Sequence, residues 1–408
     1  YIPTQGAAST RLQDIATNSG NASLINSESG VLYAEVGSLI GDESVGQLSI
    51  SDGTNNEAVK ILYLSSNSAR LEMKTVSGVN FVKDITLTRD GTFDKVAIRY
   101  KSNNYAVYHN GVSQTVTQTA DTPIGLNKIA FNRGDGGSIF FGKTKGLAVF
   151  KTALTDASLR CLTYPPAVAT TFDLDFNTIA DDFTFTRGSE ATFVNAQGLI
   201  QSTNEIGSEL VTNGDFATDS DWNKIGWTIN NSQATANANN TSQYIQQDFT
   251  ITNGKVYLFS YEIIENTLNG NGSSLSGSGG FISVPLSSEI GFHNVLITAD
   301  NSSALYALKI GVSGTASTGS ISIDNVSVKE YTTATNTPRL DYSTGSEAFL
   351  LEPQSTNLIT YSENFSKGGF WSKTNTTVAT STIVSPDGLQ GSYKLVPDNG
   401  IGGNRSIA

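Results

Sequence analysis

The sequence predicts an all-β protein built from several domains. Its 408 residues suggest about two to four domains. The composition favours strands and turns, because 39 residues are Gly, only 15% are charged, and Glu, Lys, Arg and Met are scarce beside Ser, Thr and Asn. Apolar and polar residues also alternate along many short segments, which is typical of strands with one buried and one wet face.

Residues 1–163 are expected to form the first domain. Alternation over 59–64 and 93–100 predicts strands of a sandwich sheet. Asn110-Gly111 follows another such segment and predicts a tight hairpin, since both residues tolerate the positive φ of a type I′ turn.

The end of this domain carries a family resemblance. Together with the Asn-Gly hairpin, the segments 139–142 and 146–156 resemble the close of a concanavalin-like (laminin-G-like) sandwich. The resemblance covers 1–163 and implies a two-sheet fold. Pro165-Pro166 then predicts a linker, because proline cannot continue a strand ladder.

Two separated segments resemble a single motif of phage and prophage structural proteins. The first, 164–204, contains the residues 183–193, and the second, 336–356, contains the residues 338–342. The resemblance implies one connector that residues 205–335 interrupt. Such an insertion is tolerated when the ends of the inserted domain lie close together.

An internal repeat links two segments of the chain. Residues 210–222 and 358–371 are similar, and in both copies a Trp follows a Phe by six positions, at Trp222 and Trp371. Repeats of this kind show how a chain is assembled. Both tryptophans occupy the same early position, where a core anchor is expected.

The first copy, with the closing segment 321–328, resembles a galactose-binding-like jelly roll of the carbohydrate-binding-module type. This resemblance implies that 205–335 is one jelly roll and that 357–408 is the truncated start of a second. With no initiator Met or signal peptide in view, we expect the chain to be an excerpt of a longer protein.

Charge and cysteine content narrow the function. A net charge of −12 argues against nucleic acid as a partner. A single cysteine, Cys161, excludes an intramolecular disulfide, and no apolar run is long enough for membrane insertion. These features fit a protein that folds in a reducing cytoplasm and is exposed later, as a virion component or a bacterial surface protein is.

Asp215 and Asp324 are the candidate metal ligands. The resembled jelly rolls hold a structural Ca²⁺ between the first and last strands, and calcium takes about six to eight oxygen ligands. The alternative is that Asp215 caps a turn and Asp324 is a solvated strand residue.

Aromatic residues are the candidate carbohydrate contacts. Trp227, beside Gly226, and the turn-proximal Tyr105 and Tyr244 are the proposed sugar-stacking residues, since aromatic faces bind the apolar faces of sugars. The sequence does not choose among these three residues.

No catalytic constellation is evident, so the chain is not expected to be an enzyme. Asp173 and Asp175 share a strand face, as paired glycosidase carboxylates would, but a wet strand face explains them better. His109 and His293 have no neighbouring nucleophile in a recognisable motif. Arg133-Gly134-Asp135 matches an integrin-binding tripeptide by chance.

Two ion pairs are expected to join the halves of the connector. Arg187 with Glu190, and Arg339 with Asp341, are predicted to pair at the surface and set the register. Surface pairs of this kind contribute only ~0–1 kcal/mol to stability.

The resemblances to phage structural proteins and to carbohydrate-binding modules imply a virion structural protein, as a tail fibre, receptor-binding or head-decoration component. Its partners would be bacterial surface glycan and other virion proteins, in a homo-oligomer that is trimeric if it is a fibre, at the virion surface after assembly in the host cytoplasm. Alternatives are a structural spacer without sugar binding, accessory modules of a secreted polysaccharide-degrading enzyme, and a bacterial adhesin. A fold does not by itself fix a function.

Overall fold

The computed structural model describes most of the chain. The described residues are 1–4, 6–39, 44–64, 67–87, 91–164, 183–239, 241–268, 275–281, 284–286, 289–300, 307–312, 318–363, 365, 369–380, 383, 385–386, 392–398 and 406–407.

The strands before residue 204 are mostly short, apart from the sandwich strands. They are β1 Ser9–Arg11, β2 Ile15–Thr17, β3 Ser29–Ser38, β4 Gly46–Ser51, β5 Ala58–Tyr63, β6 Ser68–Thr75, β7 Gly78–Thr86, β8 Asp94–Lys101, β9 Ala106–His109, β10 Val112–Gln114, β11 Lys128–Ala130, β12 Gly142–Phe150, β13 Thr184–Thr186, β14 Thr192–Val194 and β15 Ile200–Ser202, with the helix α1 at Asp156–Thr163.

The next strands belong to residues 204–333. They are β16 Glu205–Glu209, β17 Asn223–Ile225, β18 Trp227–Asn230, β19 Gln233–Asn237, β20 Gln243–Gln247, β21 Val256–Asn266, β22 Leu275–Gly279, β23 Val284–Leu286, β24 Gly291–Thr298, β25 Leu308–Val312 and β26 Ser320–Thr332. The remaining strands are β27 Leu340–Asp341, β28 Ala348–Leu351, β29 Ser355–Asn357, β30 Lys373–Thr374, β31 Thr376–Thr380, β32 Tyr393–Pro397 and β33 Ser406–Ile407.

The chain divides into two compact units. The first contains Tyr1–Thr203 and Ala334–Asn364, and the second contains Asn204–Thr333 and Phe365–Ala408.

The first unit is a two-sheet sandwich. Among its described residues, one sheet has the order β10-β9-β8-β3-β12-β28-β27 and the other β11-β4-β5-β6-β7. Its core comes from alternate residues of both sheets, including Leu32 and Ile98 from the first and Leu48 and Ile61 from the second. The hairpin β9–β10 turns at Asn110-Gly111, both at positive φ, as predicted.

Residues on both sides of the 204–333 segment contribute to this first sandwich. Strand β28 pairs with β12, and β13 pairs with β2. Phe183 and Phe349 both pack on Phe131, with ring centroids 5.2 Å and 5.6 Å apart. Residues of the predicted connector are therefore core residues of this unit.

Helix α1 covers the outer face of the larger sheet. Thr155 caps it, because the Thr155 side chain accepts a hydrogen bond from the Ser158 N–H, and Asp156 lies in its first turn. Leu159 and Leu162 pack on residues such as Tyr33.

The second unit is also a sandwich. Within its described part, one sheet has the order β18-β19-β26-β21-β24, with β16 pairing β26 as well, and the other has the order β17-β20-β25-β22-β23. Phe259 and Ile310 come from opposite sheets of one core, which also contains Trp222. In residues 365–408, β30 pairs with β33 and β31 with β32.

The predicted fold class is confirmed, since both units are multistranded β structures with buried inter-sheet cores.

Candidate functional site

The loop around Gly214 packs directly on the last long strand of the second unit. A Cβ at Gly214 would lie 1.9 Å from the Val326 carbonyl oxygen, so only glycine fits. The Val326 N–H donates to the Gly214 carbonyl at 2.9 Å, and Asn325 adopts a left-handed φ of 50° beside the irregularity in β26. This contact brings Asp215 close to Asp324.

An open polar cleft of about 360 Å³ lies at this loop. Its lining includes Glu209, Asp215, Asn325, Ser327 and Lys329. The Glu209 carboxylate is engaged in hydrogen bonds within the protein, because it accepts one from the Ser327 hydroxyl at 2.6 Å and one from the Val328 N–H at 2.9 Å. The Lys329 Nζ lies 3.8 Å from the same carboxylate.

Burial, with a smaller contribution from a neighbouring carboxylate, disfavours the charged form of two acidic side chains near the cleft. Burial raises the pKa of Asp324 above its ordinary value, and the negative charge of Asp215 adds to this shift. Burial likewise raises the pKa of Glu262, with a further contribution from Asp324. Repulsion of this kind is what a bound cation would relieve.

The side chains alone do not complete a calcium site. The Asp215 carboxylate accepts a hydrogen bond from the Ala217 N–H at 3.3 Å, and the Asp324 carboxylate accepts one from the Asn325 N–H at 2.7 Å. In the described residues, no group of three or more His, Cys, Asp or Glu side chains is arranged to hold a metal ion. Backbone carbonyls and water would have to supply most of the six to eight ligands.

Two of the three aromatic candidates are buried, so their prediction as sugar contacts was wrong. Trp227 is 4% exposed in the core of the second unit, because it points inward at the start of β18. Tyr105 is 3% exposed and packs against Phe81 at a centroid distance of 5.6 Å. Neither ring presents a face to a ligand.

Tyr244 remains available on an outer sheet face. Its neighbours on β20, Gln243 and Ile245, are buried, whereas Tyr244 is half-buried. Tyr244 pairs across the sheet with Gly311 on one side and with Ile225, which is 52% exposed, on the other.

This Tyr244 face, defined by Ile225, Tyr244, Lys309 and Gly311, also carries a cation. Lys309 lies two positions from Gly311 on β25, a diagonal spacing that lets a long side chain reach an aromatic ring. Its Nζ lies 3.9 Å from the centroid of the Tyr244 ring.

The remaining sequence candidates do not form a catalytic site among the described residues. His109 Nε2 lies 2.7 Å from the Asp94 carboxylate, and His293 Nε2 lies 2.6 Å from the Glu289 carbonyl. Arg133 and Asp135 of the integrin-like tripeptide form an ion pair with each other at 2.7 Å, so the two charged side chains of the motif pair within it.

The predicted pair Asp173 and Asp175, and the predicted linker at Pro165-Pro166, lie outside the described residues.

Sequence reasoning missed a buried ionic cluster in the first unit. The prediction that Arg187 pairs with Glu190 and Arg339 with Asp341 at the surface was wrong. Both arginines instead bind Asp14, and the three side chains of this cluster are 0% exposed. The Arg187–Asp14 distance is 2.9 Å. No local signal in the sequence connects Asp14 with residues so far along the chain.

Neighbouring groups extend the cluster. Glu352 accepts from Arg339 and, at 2.7 Å, from Arg11. The predicted partner Asp341 instead pairs with Lys143 at 2.6 Å. Burial opposes the charge of Asp341, but hydrogen bonds from Lys143 and Ser343 hold its pKa below the ordinary value.

The one helix in the described part of the chain has eight residues, so no helix there is long and apolar enough to cross a membrane.

The fold and the site together define the class of protein: a β-sandwich protein with an accessible sheet face. No family model matches this chain, and no curated protein matches it by sequence.

Solved structures give only weak likenesses. A carbohydrate-binding module (CBM40) of a Ruminococcus gnavus sialidase, bound to α2,3-sialyllactose, has a TM-score of 0.31 and 16% identity over 38% of this chain and 98% of its own. A SAP-like pentraxin of Limulus polyphemus has a TM-score of 0.29 and 12% identity, over 41% of this chain and 83% of its own. The NanB sialidase of Streptococcus pneumoniae has a TM-score of 0.29 and 11% identity, over 98% of this chain and 83% of its own. Likenesses at this level assign no function.

Proposed function

We propose that this chain is a non-enzymatic glycan-binding protein and that the Tyr244 face is its binding surface. The observation that carries the proposal is the half-buried Tyr244 ring on an outer sheet face, opposite Gly311 and beside the exposed Ile225. Because glycine has no side chain, a sugar ring has room beside the tyrosine.

The chemistry of the Tyr244 face suits a carbohydrate. Tyr244 and Ile225 supply apolar surface for the C–H faces of a pyranose, and the tyrosine hydroxyl and the Lys309 ammonium supply hydrogen bonds. A surface of this kind binds a single sugar with low affinity. Display of the protein in many copies would raise the overall avidity by roughly 10²–10⁴-fold.

The biological setting we propose is the surface of a phage virion, where the chain would adhere to bacterial surface polysaccharide. The resemblance of residues 164–204 and 336–356 to phage structural proteins supports this setting. Partners would be bacterial glycan and other virion proteins, in a homo-oligomer that is a trimer if the particle component is a fibre.

The test is a glycan-array screen of the full chain, followed by affinity measurement on the best ligand. Tyr244→Ala is expected to abolish measurable binding. Phe292→Ala is the matched control, because Phe292 is an exposed aromatic residue on the other sheet of the same unit. A wild-type chain that binds no glycan would instead support a purely structural spacer.

A structural Ca²⁺ held by Asp215 and Asp324 is a separate proposal. Its support is the packing of the Gly214 loop on Val326, which brings the two carboxylates close together, and the pKa of Asp324, which burial raises and the charge of Asp215 raises further. Calcium is expected to raise the melting temperature of the second unit in a reversible way, and an identical melting curve in EDTA and in millimolar calcium would rule the site out.

A further inference from the structure

The Tyr244 face carries a lysine for which the described residues of an acidic segment show no ion pair. Residues 204–333 contain four lysines, no arginine and twelve Asp or Glu residues. Three of the lysines pair with carboxylates of the described residues: Lys224 with Asp219, Lys255 with Glu330 and Lys329 with Glu209. The ion pairs found in that part of the structure do not include the fourth, Lys309.

Lys309 is held in place by the tyrosine. Its Nζ lies 3.9 Å from the Tyr244 ring centroid, and the side chain is half-buried. The ring quadrupole attracts the ammonium without neutralising its charge. Since the contact already restricts the lysine, an incoming anion finds a positioned cation and gives up less conformational entropy on binding.

We infer that the Tyr244 face selects a glycan that carries an anionic substituent, with Lys309 as the specificity-determining residue; the inference rests on the proposed function of that face. The anion would bind the Lys309 ammonium while the sugar ring lies beside Tyr244 over Gly311. Charge-assisted hydrogen bonds are the strongest polar contacts available to such a ligand.

The acidic residues of the segment 204–333 limit how densely charged the glycan ligand can be. Twelve acidic side chains against four lysines repel a densely charged polyanion at long range. A polysaccharide with isolated acidic sugars between neutral ones meets the single cation with little of this repulsion. Carboxylate and phosphate substituents share the required chemistry.

The experiment compares three short oligosaccharides that differ at one internal position, which is glucuronate, glucose or glucose 6-phosphate. Affinities of the full chain for each are measured by titration calorimetry. The wild type is expected to bind the glucuronate ligand, the phosphate ligand or both about tenfold more tightly than the neutral one. The stronger of the two anionic ligands identifies the substituent.

Variants separate this inference from the proposed function. Lys309→Gln is expected to remove the anionic preference, so that the variant binds the neutral and the anionic ligands with equal affinity. Lys255→Gln is the control, because Lys255 is exposed and already paired with Glu330 on the other sheet. Tyr244→Ala is expected to remove binding of all three ligands.

Two results would overturn the inference while leaving the proposed function intact. One is equal wild-type affinity for the neutral and anionic ligands, and the other is an anionic preference that survives Lys309→Gln. Absence of binding to any glycan would overturn both the inference and the function on which it rests.

Discussion

Asp14 is the residue whose loss should damage the first unit most through charge alone. Its carboxylate accepts from Arg187 at 2.9 Å, from Arg339, and from the Glu352 N–H at 2.8 Å, and the side chains of Asp14 and both arginines are fully buried. Asp14→Asn keeps the volume but removes the negative charge and turns an amide donor toward one of the two guanidinium groups. Leaving buried charges uncompensated costs about 3–5 kcal/mol.

The expected change in melting temperature follows from the size of the unit. For domains of roughly 150–250 residues, each kcal/mol shifts the melting temperature by about 2–4 °C. Asp14→Asn should therefore lower the melting temperature of the first unit by about 6–20 °C. The isosteric change leaves no cavity, so the shift reports on charge and hydrogen bonding.

The placement of the tryptophans makes the assay specific. Trp222, Trp227 and Trp371 are the three tryptophans of the chain, and all belong to the second unit. Calorimetry or far-ultraviolet circular dichroism should detect the destabilised first unit, while tryptophan fluorescence should show an unchanged second transition.

The matched control is Asp84→Asn. Asp84 pairs with Arg70 at 2.8 Å, but these side chains are 50% and 39% exposed, so the pair should contribute only ~0–1 kcal/mol. Equal shifts for the two variants would refute the reasoning that burial of the Asp14 cluster sets its energetic weight.

The remaining predictions concern the second unit. Gly214→Ala should destabilise it by about 1–3 kcal/mol, because the new Cβ would overlap the Val326 carbonyl oxygen; the fluorescence melt should drop, and an unchanged melt would contradict the packing. Burial and the charge of Asp215 raise the pKa of Asp324 in the folded state above the ordinary aspartate pKa of 3.8. In the absence of calcium, the free energy of unfolding should therefore fall as the pH rises from 3.8 through the raised pKa. Asp324→Asn should flatten that decline in melts recorded across the same pH range, and a steeper decline would show that the carboxylate is stabilising. Joining Thr203 directly to Ala334 should leave the first unit folded by circular dichroism, since the ends of the removed segment are adjacent where Glu205 pairs with Thr332; loss of all cooperative melting would count against this.

Local patterns were enough to predict much of the fold. Alternation over 59–64 and 93–100 marks strands β5 and β8, and Asn110-Gly111 marks the β9–β10 turn. These signals are local because side-chain alternation and positive φ depend on neighbouring residues only. Trp222 was also correctly expected in the core, where it is 6% exposed.

The candidate site was predicted less well, because exposure depends on the direction in which a strand faces. Trp227 and Tyr244 both lie on strands of the second unit and are chemically suited to bind sugar, yet one points into the core and the other to the outer face. A change of one position along a strand reverses this direction. The sequence also gives no sign that Lys309 reaches the ring of Tyr244.

The sequence by itself determined the all-β class, the hairpin and the choice of residue types that can bind sugar or calcium. Only the tertiary structure decided that Asp14 pairs with both Arg187 and Arg339, and that Tyr244 lies between Ile225 and Gly311 on an outer face. The physical reason is that burial and charge pairing are set by contacts between residues far apart in the chain, which no local pattern encodes.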